Sequence, residues 1–122
     1  MPDLVPPEWP QEVLPPQVPA WEQSAVAWLF DQCPPDYRAH EVLRRYPVVL
    51  ARFARGHVNA AVEAARQGLR TLRADLSGVV AQDVIEAALG AYDREGRALA
   101  RTARQITLVE GALRGERWVP RL

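Results

Sequence analysis

Thirty residues from Pro47 to Leu76, PVVLARFARGHVNAAVEAARQGLRTLRADL, contain no proline after the first position. Val58, Val62, Ala65, Leu69, Leu72 and Leu76 keep a 4-3-4-3-4 spacing. That is the seam of a long amphipathic helix packed on another helix, and Leu50 and Phe53 extend its apolar side toward the start. Proline suits the first helical position, because its fixed φ matches the helix and the N–H it lacks would be unpaired there. Ser77-Gly78 supplies the stop. At about 1.5 Å per residue the helix is roughly 45 Å long, and such a helix needs a partner along its length.

The partner is in the chain. A second helix is expected from Ala81 to Leu113, with Ile85, Leu89, Tyr92, Gly96, Leu99, Ala103, Ile106 and Leu113 as a sustained heptad seam of coiled-coil type. Gly96 and Ala103 are small enough to let the facing backbone approach. Ser77 or Asp83 is a suitable cap. With so short a link, the two helices are expected to fold back as an antiparallel hairpin crossing at about +20°.

The first 20 residues are of another kind. Seven prolines (Pro2, Pro6, Pro7, Pro10, Pro15, Pro16 and Pro19) deny them a helix or a central strand. An extended, largely polyproline II arm is expected, with Val5, Trp9 and Leu14 as anchors that could dock in a groove, and Val13 and Val18 beside them. Residues 20–33 then read as a helix, with Trp21, Ala25, Trp28 and Leu29 on one face and Val26 and Phe30 broadening it. Cys33-Pro34-Pro35-Asp36 ends it. Asp36 is placed to cap a short helix from Tyr37 to Tyr46, and a bend is expected at Tyr46, before Pro47. Gly115 closes the last helix, and Trp118 and Val119 point to a tail that packs back.

The formal net charge is zero, but its distribution is uneven. Residues 1–37 hold six acids and no arginine, and residues 38–73 hold eight arginines against Glu41 and Glu63. At about 100° per residue, Arg52, Arg55, Arg66, Arg70 and Arg73 share one sector, a quarter turn from the seam. This stripe is a candidate rail for an anion or an acidic partner, and the acidic arm could mask it. Arg94, Arg97, Arg101 and Arg104 lie opposite the second seam, as a solvent face does.

The 122 residues include no lysine. A Walker A lysine, a Schiff base and a lysine general base are therefore excluded. GxGxxG, HExxH, GxSxG, CxxC and the Glu-x-x-His of di-iron bundles do not occur. Asp83 and Glu86 share a helix face but suit a first helical turn. Cys33, His40 and His57 are scattered, a weak set for zinc or for a thiol nucleophile. No catalytic residue, cofactor or metal is expected. One cysteine fits a reducing compartment, no apolar run is long enough to span a membrane, and the opening MPDLVPPEWP lacks the pattern of a secretion signal. A cytoplasmic protein is expected.

The expected architecture is all-α: a Pro-rich arm (1–20), then one helical domain (21–122) in which two shorter helices cap the long hairpin. Apolar surface left over points to a homodimer. The expected function is that of a non-enzymatic helical interaction, scaffold or regulatory protein, working through its helical surface and its arm. The alternative is a small nucleic-acid-binding regulator that uses the arginine stripe.

Overall fold

The computed structural model describes residues 5–120. The chain is mostly helical. Helix α1 covers Trp21–Asp31, a 3-10 turn covers Pro35–Ala39, α2 covers Glu41–Arg45, α3 covers Pro47–Leu76 and α4 covers Gln82–Leu113. No strand occurs among the described residues. Tyr46 takes extended backbone angles, φ −124° and ψ 92°, as the residue before a proline must.

The long helices lie side by side. Arg73 pairs with Glu86, Gly68 faces the Tyr92 ring, Gly96 faces Ala65, and Arg55 pairs with Glu110. Residue numbers rise along α4 as they fall along α3, so the two run antiparallel. Leu76 to Val79 form the turn between them, closed by the Val79 N–H donating to the Leu76 carbonyl at 2.9 Å. Gly78 takes φ +79° there, a conformation that costs glycine nothing.

Packing along the pair is uneven. One core joins Ala25, Trp28, Leu29 and Phe30 of α1 to Leu43, to Leu50, Ala51, Ala54 and Val58 of α3, and to Ile106 and Val109 of α4. Each large apolar side chain removed from water there stabilises the fold by roughly 1.5–3 kcal/mol. Beyond this packed base, Ala65 and Ile85 are the only buried residues between Val58 and Ile106. The last 18 residues of α3, Asn59 to Leu76, therefore extend about 27 Å with α4 alone beside them.

Several expectations need correction. Tyr37 to Tyr46 is no single helix: it breaks at His40, which is extended at φ −85° and ψ 112°. Asp36 lies inside the 3-10 turn and caps nothing, and α4 begins after Ala81 without a side-chain cap. In the tail, Val119 is 74% exposed.

The arm is not extended. Residues 6–21 form four successive turns, closed by Trp9 N–H to Pro6 O, Val13 N–H to Pro10 O, Val18 N–H to Pro15 O and Trp21 N–H to Val18 O. In three of them a proline (Pro7, Pro16 or Pro19) holds the second position, and the third residue has positive φ: Glu8 +72°, Gln17 +75° and Ala20 +69°. These are type II turns, for which proline is suited at the second place, while the third normally asks for glycine. The proline density that forbids a helix is here spent on turns. Pro10 is fully buried and Val13 is 3% exposed, inside the same core as the helices.

Candidate interaction surfaces

The arm docks on its own chain between α1 and α4. Glu8 receives two hydrogen bonds from the Arg104 guanidinium, at 2.9 and 3.0 Å, and Gln105 donates to the Glu8 carbonyl. The Trp9 indole N–H donates to the Val13 carbonyl at 2.9 Å, and the Leu14 N–H donates to Ser24 Oγ on α1. The anchors thus differ from those read in the sequence. Trp9 is half-buried against the core and Val5 is half-buried, but Leu14 is 41% exposed and is held by its backbone. Pro10 and Val13 provide the apolar grip. Of the arm's acids, Glu8 meets Arg104 of α4 and no arginine of the α3 stripe; Asp3 lies outside the described residues.

The α3 stripe is largely occupied from within. Arg66 and Arg70 reach Glu63 on their own helix at 3.6 and 3.3 Å. Arg73 crosses to Glu86 of α4 at 2.7 Å. Arg55 donates to Glu110 of α4 at 2.7 Å, and Arg114 binds the other carboxylate oxygen at 3.1 Å. Arg52 has no acidic partner among the described residues. A helical projection of one helix shows where like charges gather, not what faces them from a neighbour.

Glu110 is the residue that sequence reasoning missed. Its side chain is 7% exposed, and it falls in the α4 seam sector among apolar residues. That placement was readable: an acid on a seam requires a cation opposite. Burial pushes its carboxyl up, yet the hydrogen bonds and charges of Arg55 and Arg114 outweigh burial and leave it below its ordinary value of 4.5. The carboxylate is therefore ionised and clamps α3 to α4 at the packed base.

A second cluster centres on Tyr37. The Tyr37 ring meets His40, Phe53 and His57 edge-on at 6.5, 6.1 and 6.0 Å. Phe53 and Tyr46 are about half exposed, and His57 is exposed rather than packed at a helix contact. Arg44 donates to the Arg38 carbonyl and, like Arg52, meets no acid among the described residues. Trp28 lies in the core, 6% exposed, and Tyr37 packs against that core.

Cys33 is buried, its thiol donating to the Leu29 carbonyl at 3.3 Å. Burial pushes the thiol up against a small opposing effect from Arg38, which disfavours the reactive thiolate. Among the described residues no group of three or more His, Cys, Asp or Glu side chains could hold a metal ion, and no helix is long and apolar enough to cross a membrane. No protein-family model, curated protein or solved structure matches the chain. The reading of its function therefore rests on its surfaces. One of them is the far half of the helix pair, where Leu69 (38% exposed), Val84 (49%) and Tyr92 (37%) share α3 and α4 with half-buried Leu72, Leu76 and Leu89.

Proposed function

We propose that this is a non-enzymatic helical interaction protein that associates with a second copy of itself through the far half of α3 and α4. The observation that carries the reading is the bare seam. Two helices alone leave each other's apolar stripe partly in water, and bundles of this kind bury it by adding further helices. A second copy brings the same unpartnered stripe, so a two-fold pairing of tips covers both at once as a four-helix coiled-coil arrangement. The charges suit that occupant. Residues 62–99 carry Arg66, Arg70, Arg73, Arg94 and Arg97 against Glu63, Asp75, Asp83, Glu86, Asp93 and Glu95, so two tips of mixed sign do not repel strongly. The packed base, with its docked arm, stays outside the contact and is free for other partners. A single buried cysteine suits a cytoplasmic protein of this kind.

Leu69→Glu with Val84→Glu tests the reading. Both positions are more than a third exposed, so the fold should lose less than about 1 kcal/mol, while a carboxylate pair on a buried interface should weaken pairing by about 100-fold or more. Sedimentation should find the variant at one chain mass with an unchanged helical circular dichroism spectrum. A variant that keeps the oligomer would sink the tip as the interface.

A second reading, a small nucleic-acid-binding regulator, draws on Arg44 and Arg52, which meet no acid among the described residues, and on the exposed rings of Tyr46 and Phe53 close to them in sequence, since cations and exposed rings together suit single strands. Under it, Arg52→Glu lowers the affinity for a labelled oligonucleotide and flattens its salt dependence by about one counterion. Unchanged binding, or none in the wild type, removes this reading.

A further inference from the structure

Three of the chain's four tryptophans, from positions far apart in sequence, line one cleft. Trp9 comes from the arm, Trp21 from the start of α1 and Trp118 from the tail beyond α4, around a cavity of about 830 Å³. Volumes of this size accommodate drug-sized ligands. We propose that this cleft binds an organic cation, specifically a quaternary or fully methylated ammonium group on a small apolar body.

A cation over an indole face is stabilised by the ring quadrupole, and tryptophan is the strongest partner of the aromatic residues. Elsewhere in this protein two rings carry one of the chain's own cations: Arg38 lies 5.5 Å from the centre of the buried Phe30 ring and Arg45 lies 5.9 Å from that of the exposed Tyr46 ring. Among the described residues no arginine covers a tryptophan. Trp118 is 39% exposed, so it lines the cleft without being drawn into the core.

Glu22 and Glu116 line the same cleft and form no ion pair among the described residues. Glu116 is held in place. Gly115, at φ +91°, ends α4 in a turn that lets the Glu116 N–H donate to the Gly111 carbonyl at 2.9 Å. Gly111 leaves the room its carboxylate uses: a Cβ there would clash with Glu116 Oε2. Among the described residues Arg117 is the one cation in the lining, and two carboxylates against it leave that lining net negative. Methylated ammonium matches both features, since it prefers aromatic walls to water and cannot be satisfied by hydrogen bonds.

The test titrates the full-length protein with choline and with 3,3-dimethyl-1-butanol, its uncharged carbon isostere, by tryptophan fluorescence and calorimetry. Choline should bind saturably and at least about tenfold more tightly than the isostere. Trp118→Ala, in the exposed tail, should weaken choline by about fivefold or more, and Glu116→Gln by a few-fold, while Arg117→Ala should tighten it. A peptide bearing trimethyllysine forms a second arm. Tighter binding than choline identifies a modified protein as the source of the cation, and equal or weaker binding identifies a free small molecule. Equal affinity for choline and its isostere, no saturable binding of choline or the peptide, or full binding by Trp118→Ala each overturns the proposal.

Discussion

A chain that begins at Trp21 should melt at least about 10 °C below the full-length protein, at roughly 4 °C per kcal/mol for a domain of this size. The reason is that residues 5–20 complete the core rather than decorate it. Pro10 is fully buried, Val13 is 3% exposed and Trp9 packs against the same cluster. Each fully buried apolar side chain is worth roughly 1.5–3 kcal/mol, and ordering the arm costs part of that. The turns lower the ordering cost, because proline has already restricted the backbone. A net loss of about 3 kcal/mol is a large share of the 5–15 kcal/mol that holds a typical domain. Val13→Asp in the intact chain should reproduce most of the loss, since it places a carboxylate in the core without shortening the polypeptide. Thermal denaturation followed by circular dichroism decides it. A truncated protein that melts within a few degrees of the full chain would show that the arm is dispensable for stability.

The second large effect concerns Glu110. Arg55→Met should destabilise the protein by about 2–3 kcal/mol, below the 3–5 kcal/mol typical of a broken buried pair because Arg114 still holds the carboxylate. Arg55 itself is about a third exposed, which further limits what its charge contributes. The pH dependence has a definite sign. The Glu110 carboxyl lies below its ordinary 4.5 in the folded protein, so its contribution is complete above that value and is lost as the pH falls through the lower, folded-state value. Glu8 and Glu86 act in the same direction. The hydrogen bond from Arg104 is the main cause lowering Glu8, and that from Arg73 is the main cause lowering Glu86, and both groups are open to solvent. The wild-type melting temperature should therefore fall on acidification below about 4.5, and Glu110→Gln should flatten that fall. A Glu110→Gln protein with the wild-type acid limb would assign the loss to other carboxylates.

Much of the helical framework was legible because it rests on local rules. The helix expected over Pro47–Leu76 runs between those residues, with a proline that can only start a helix and a glycine that ends one. The fate of the seam was not legible. Val58 and Ala65 are buried, but Leu69 on the same stripe is not, because burial depends on where α1 and the arm stop covering the pair. The arginine stripe was read from one helix at a time, and its partners Glu86 and Glu110 belong to the other. In the arm, composition excluded helix but did not choose between an extended chain and turns. The signal that chooses is the Pro-Pro-x-apolar phase at Pro6–Trp9 and Pro15–Val18, where the second proline is set for a turn and the apolar residue follows it inward. The tryptophan-lined cleft joins residues from both ends of the chain and is not local at all.

The most direct test of the central proposal is sedimentation equilibrium of the wild-type chain from about 1 to 100 µM, a range that spans the affinities of ordinary homodimers. Pairing through the tips predicts a mass that rises with concentration toward twice the 13.6 kDa of one chain. A mass of 13.6 kDa across the whole range would contradict it, and would leave the bare seam of α3 and α4 to a partner of different sequence.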